Sequence, residues 1–238
     1  GRLGERALGS FGALGTFSFD SVKTLTTGEG GMVITDDEEL YLRASEYHDH
    51  GHDHDPSVGR GLEKRRFFGF NYRMMELQGA LGLAQLRKLE PVILPRQRRN
   101  KRVLREALEK HDGIAFRDLP DPGGDSATFL VFFLPTAGKA RAFNRVLSDE
   151  GAGAVYWHDN LWHAYGQWEH LLEGRTPLSG GWPFRSPDGS HRCRFDPGAL
   201  PRTAGILSRA LTLPIGIHMD QQLPVLIRAI DKAACAVL

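Results

Sequence analysis

The sequence predicts an α/β protein, and three observations carry that prediction. Short β-branched and aromatic runs alternate with longer segments of helical period, in the order β, α, β, α with an extended middle. The chain has 238 residues, 41% hydrophobic and 25% charged, the ordinary composition of a globular protein that buries a core. After Gly113 the texture changes to shorter elements, which puts a boundary near residues 109–113 and divides the chain into 1–110 and 111–238.

Residues 14–19 and 31–35 are short apolar runs and read as strands. Asp36 and Asp37 then offer an N-cap, and residues 38–47, with acidic residues in the first turn, read as a helix. Residues 48–66 have no apolar period and read as an exposed loop. From 74 to 111 the pattern is helical. Leu77, Leu81, Ala84, Leu86 and Leu89 form an apolar face, and Pro91 and Pro95 should break or kink the segment before a basic second helix over 97–111. In the second part, 127–134 reads as a buried strand, 139–151 as a helix, 211–215 as a late strand and 220–238 as a closing amphipathic helix.

Composition narrows the function classes. Thirty basic residues against 29 acidic ones give a net charge of +1, so bulk electrostatics provide no reason to expect a nucleic-acid partner. The basic run 96–102 is explained as the solvated side of a helix. Cys193 and Cys235 cannot build a disulfide framework. No apolar stretch approaches membrane-spanning length and no signal-peptide pattern is present, so the expected location is cytoplasmic, with no membrane partner. The chain begins at Gly1 and reaches its first strand almost at once, which reads as a start inside a domain.

The most informative residue is Lys23. It follows five residues after Ser18, at the end of the first strand, and precedes the Gly-rich turn Gly28-Glu29-Gly30-Gly31 into the second strand. A lone lysine is ordinarily a solvated charge. An amine held on a fixed turn near a hydroxyl suited to an anion is instead what an enzyme needs to form a Schiff base with an aldehyde cofactor whose phosphate is anchored nearby. Two other runs compete for attention. His48-Asp49-His50-Gly51-His52-Asp53-His54-Asp55 has the ligand types for zinc or nickel, but its spacing is loop-like, without cysteine or an i, i+4 histidine pair, so no metal site is expected. The stretch from Tyr156 to Leu171 interleaves aromatic rings with polar groups. It suits either sugar recognition, with His163 a candidate contact, or packing of a small domain.

Three stretches together carry a family resemblance: Gly9 to Gly31 around Lys23; Phe70-Asn71-Tyr72-Arg73-Met74 running into Glu76-Leu77-Gln78-Gly79-Ala80-Leu81-Gly82-Leu83-Ala84-Gln85-Leu86; and Leu211-Thr212-Leu213-Pro214-Ile215. In this order they resemble the DegT/DnrJ/EryC1/StrS family of sugar aminotransferases, enzymes of fold type I that depend on pyridoxal 5′-phosphate (PLP). The resemblance implies the end of the large mixed-sheet, PLP-binding domain with its connecting helices over 1–110, and a small α/β domain over 111–238. It implies that Lys23 carries the internal aldimine and moves the proton, and that Ser18 binds the phosphate. Asn71 would reach the phosphate of a neighbouring subunit, making a homodimer with a shared active site. Tyr72 and Arg73 could face the substrate, or serve packing and an ion pair equally well. Dehydratase relatives replace the lysine by histidine, so Lys23 favours transamination of a keto- or aldehydo-sugar with an amino-acid donor such as glutamate. The stretch 156–171 is closest to the branch that aminates an eight-carbon ulosonic acid, the 8-amino-3,8-dideoxy-octulosonate type. The acidic partner of the pyridine nitrogen lies upstream of the lysine motif in the family, and residues 1–22 offer no equivalent. The alternative reading is therefore a catalytically incomplete chain that acts as a dimerising, metal-binding or partner-binding module.

Overall fold

The computed structural model describes residues 1–59, 61–190 and 193–238, and Arg60 of the expected loop lies outside them. The chain forms two compact units. One comprises 1–95 with 119–126, the other 96–118 with 127–238.

In the first unit, β1 (Arg2–Leu3) and β2 (Arg6–Ala7) make a minimal hairpin. Asp121 secures it by accepting from the Gly4 amide at 2.8 Å, and the same amide, with that of Gly124, holds the Asp121 carboxyl below its usual range. Next, β3 (Gly15–Ser18) pairs antiparallel with β4 (Gly31–Ile34), Gly15 opposite Ile34 and Ser18 opposite Gly31. These are the two strands expected from sequence, yet β4 is exposed along its whole length. The N-cap expected for the following helix is Asp37, whose Oδ1 accepts from the Leu40 amide at 3.0 Å and starts α1 (Glu38–His48).

The segment 49–75 returns beside the end of α1 through isolated bridges, Asp49 with Asn71 and His52 with Arg65. It leads into α2 (Glu76–Lys88). The expected break is present: a π-helical turn over Leu89–Ile93 contains Pro91, and α3 (Leu94–Glu109) starts directly after it. Pro91 and Pro95 both lack the N–H that a continuous helix uses, and the wider turn that contains Pro91 separates α2 from α3. The apolar face read on α2 does not build a core. No residue of α2 is buried, and Leu77 is 77% exposed.

The second unit holds the core. Strands β5 (Ala115–Phe116), β6 (Phe129–Phe133), β7 (Val155–Tyr156) and β8 (Ala210–Pro214) form one antiparallel sheet in the order β5-β6-β8-β7. Its helices are α4 (Ala137–Asp149), the short α5 (Glu169–Leu172) and α6 (Pro201–Leu207), and the closing α7 (Leu223–Val237). Leu104 and Leu108 of α3, Leu130 and Phe132 of β6, Phe143 and Leu147 of α4, Leu211 and Leu213 of β8, and Ile230 of α7 share one buried cluster. Phe132 meets Phe143 edge to face at 5.8 Å. The sequence run 127–134 reads as a buried strand. Instead β6 alternates, with Leu130 and Phe132 inward and Phe129 exposed, whereas its neighbour β8 is buried at four consecutive residues. Among the described residues, no helix is long and apolar enough to cross a membrane.

Candidate active site

The β3–β4 hairpin creates the loop that carries Lys23. Ser18 ends β3, and beyond it the Phe19 amide donates to the Gly30 carbonyl at 2.9 Å. The Phe19 carbonyl accepts from the Thr27 amide at 2.9 Å and from Thr26 Oγ1 at 3.1 Å, which closes the neck of the loop. Within it, the Lys23 amide donates to the Asp20 carbonyl at 3.0 Å. The Asp20 carboxylate accepts from the Val22 amide and the Ser21 hydroxyl. With the nearby Lys23 charge, these bonds hold Asp20 below the usual carboxylate range. Gly30 is needed where it stands. Its φ is +140°, and a Cβ there would lie 2.9 Å from Thr27 Oγ1.

Lys23 and Ser18 are both exposed. Among the described residues, the Lys23 ammonium enters no hydrogen bond or ion pair, and Ser18 Oγ accepts only a long contact from the Asp20 amide at 3.5 Å. The hairpin therefore presents an uncommitted amine and an uncommitted hydroxyl from one short loop.

Asn71, Tyr72 and Arg73 occupy the segment paired with the end of α1, where the Tyr72 amide donates to the His48 carbonyl at 2.8 Å. The Asn71 side chain is exposed. Tyr72 stacks on Phe70 with ring centroids 5.4 Å apart, and it lines an open cleft with Thr16, Phe17, Met32, Tyr47 and His48. Arg73 is ion-paired with Asp49 in the same chain, and His54 Nε2 lies 3.6 Å from the other Asp49 oxygen. Burial alone would raise the Asp49 carboxyl. The Arg73 guanidinium, with His54 and His52, outweighs it and holds the group below its usual range.

His163 belongs to the second unit. Its amide donates to Asn160 Oδ1 at 2.8 Å and its ring meets Trp157 edge to face. The stretch around it is divided. Trp157 points its indole N–H at Thr212 Oγ1, 2.6 Å away, while Trp162 is 82% exposed. Ser18 and Lys23 thus share one loop, Asn71, Tyr72 and Arg73 share one segment, and His163 lies outside that unit.

The histidine-rich run is dispersed among separate partners. His48 Nδ1 contacts the Ser45 carbonyl, His52 faces Glu63 at 3.9 Å, and His54 faces Asp49. Among the described residues, no group of three His, Cys, Asp or Glu side chains is arranged to hold a metal ion.

Two residues of the 76–86 stretch, to which the sequence assigned no role of their own, bind the loop. Gln85 of α2 accepts from the Thr26 amide at 3.2 Å and donates to the Thr26 carbonyl. Gln78 donates to the Glu29 carbonyl at 2.8 Å and accepts from the Met75 amide at 3.0 Å. Their seven-residue spacing puts both on one helix face, a signal present in the sequence beside the more conspicuous leucines.

One unit is thus an antiparallel sheet layered with helices, and the other carries a hairpin loop with a lysine, a mixed α/β arrangement. The chain superposes on the aminotransferase TlmJ from Streptoalloteichus hindustanus with a TM-score of 0.72 at 23% identity, over 99% of this chain and 56% of that one. Residues 2–183 match the DegT/DnrJ/EryC1/StrS aminotransferase family, and the chain belongs to it. It is 42% identical over 91 residues to the GDP-perosamine synthase of Escherichia coli O157:H7, covering 36% of this chain and 22% of that enzyme. It is 34% identical over 140 residues to the GDP-4-keto-6-deoxy-D-mannose 3-dehydratase of Yersinia pseudotuberculosis, covering 54% and 35%. The chain thus spans about a quarter to a third of these curated relatives and just over half of the solved one.

Proposed function

We propose that this chain contributes the lysine-bearing part of a PLP-dependent sugar aminotransferase. The observation that carries the reading is Lys23: a primary amine in no hydrogen bond or ion pair among the described residues, on a braced loop, five residues beyond the Ser18 hydroxyl. That donor set suits an aldehyde that also carries a phosphate. Lys23 Nζ would hold the cofactor and move a proton, and the Ser18 hydroxyl and Asn71 carboxamide would donate to phosphate oxygens. When bound, PLP supplies an electrophilic carbonyl and an electron-withdrawing ring, the chemistry that lets an amino group pass from an amino acid to a carbonyl sugar.

Family membership alone leaves transamination and dehydration open, since two relatives are named dehydratases. Lys23 favours transamination, because an amine that forms and releases the covalent link is what repeated amino transfer requires. In this reading glutamate is the amino donor. The acceptor is a keto- or aldehydo-sugar, either nucleotide-linked or an eight-carbon ulosonic acid. The ulosonic acid rests on the aromatic and imidazole groups of 156–171, with His163, Tyr72 and Arg73 as candidate sugar contacts. Exposed Asn71 fits a homodimer with a shared site, and 1–110 and 111–238 would be the large-domain part and the small domain.

Incubation with PLP followed by borohydride reduction and peptide mapping tests the proposal. The expected result is selective pyridoxyl labelling of Lys23 and a visible absorption band that is absent in Lys23→Ala. Labelling spread evenly over the surface lysines would overturn it.

A further inference from the structure

The face that α2 turns to the Lys23 loop is polar, and its chemistry is specific. The Gln85 carboxamide takes both backbone groups of Thr26, its oxygen accepting from the amide and its nitrogen donating to the carbonyl. A single side chain thereby replaces the strand partner that Thr26 lacks. Two helical turns earlier, Gln78 does half of the same work. It donates to the Glu29 carbonyl, which also accepts from Thr27 Oγ1 at 2.6 Å. The other end of Gln78 accepts from the Met75 amide, so the contact is tied to the start of α2. Between the two glutamines stands Gly82, where a Cβ would lie 3.1 Å from Thr27 Cγ2. Glutamine, glycine and glutamine at i, i+4 and i+7 thus form one stripe that admits the loop and bonds it at two points.

We propose that Gln78 and Gln85 are positioning residues that fix the Lys23 loop to α2. The inference rests on the reading of Lys23 as the reactive amine, and its structural part can be tested without cofactor. Thr26 and Glu29 lie three and six residues beyond Lys23, and both Thr26 Oγ1 and the Thr27 amide close onto Phe19 on the near side. Freeing Thr26 therefore loosens both ends of the loop. Helix α2 begins at Glu76, three residues after Arg73, so the helix that bonds the lysine loop follows the Asn71–Arg73 segment closely in the chain.

The test compares the full chain with Gln85→Met and Gln78→Met, which keep side-chain length and helix propensity but remove the carboxamide bonds. Peptide-resolved hydrogen exchange without cofactor should show about tenfold faster exchange at Lys23 and Thr26–Thr27, with the second unit unchanged. Gln85→Glu keeps the acceptor for the Thr26 amide and should recover part of that amide's protection. Exchange that is unaltered, or faster only at 26–29 and not at Lys23, would overturn the proposal. A uniform increase across the chain would overturn it as well, by assigning the glutamines to general stability. A second measurement reads PLP selectivity: borohydride labelling should shift from Lys23 toward other lysines in Gln85→Met. If the unsubstituted chain shows no preference for Lys23, the cofactor reading fails, while the exchange data still decide the brace.

Discussion

Asp49 illustrates how much a single residue can gather. Its carboxylate receives the Arg73 guanidinium on one oxygen and faces His54 on the other, in a segment that has the residue types of a metal site but loop-like spacing. The actual partner, Arg73, lies 24 residues away, which no local spacing announces. Because the folded Asp49 carboxyl titrates below its unfolded value, its contribution to stability is present above the unfolded pKa. That contribution is lost as pH falls through the folded one. Replacing Arg73 by Met removes the cation while leaving the burial that opposes ionisation. The Asp49 midpoint should then rise, as followed by carboxyl-carbon NMR, and the acid limb of unfolding should move to higher pH. Lys23 is the opposite case. Its candidacy is legible from its neighbours in sequence, and the structure adds that its ammonium enters no hydrogen bond or ion pair among the described residues.

At the scale of elements, the signals that worked were local and chemical. Asp37 was readable as a cap because a short acceptor side chain before an acidic first turn satisfies an amide that the helix cannot. Asp37→Ala should destabilise α1 by about 1 kcal/mol, measured as faster amide exchange in its first turn relative to the second unit. The prolines marked the end of α2 for an equally local reason, and the chain answers with a π-turn rather than a plain kink. The face of α2 was not legible in the same way. Periodicity identifies which leucines share a side, but not whether anything packs on them. Here the side that makes contact carries Gln78, Gly82 and Gln85, while Leu77 remains exposed. Strand β6 was misread for a related reason. An apolar run is equally compatible with one covered face and with two.

At the scale of the whole molecule, the apolar interior is concentrated in the second unit. There, β6 and β8 contribute alternate or continuous buried residues beneath α3, α4 and α7. Phe132, fully buried against Phe143, is a central member. Phe132→Ala should cost roughly 3–5 kcal/mol in that unit, read by denaturant unfolding of its exchange-protected amides, whereas Leu77→Ala on α2 should stay within about 0.5 kcal/mol. What the sequence determined by itself was the α/β class, the family, most helix and strand positions, and the lysine around which the proposed chemistry turns. Those properties follow from residue type and short spacing, which survive in a one-dimensional record. Only the tertiary structure decided which faces are covered, that Arg73 answers Asp49, and that two glutamines of α2 hold the loop after Lys23. Each of those depends on groups far apart in the chain meeting at hydrogen-bond distance, and a backbone amide or carbonyl that awaits a partner has no sequence signature of its own.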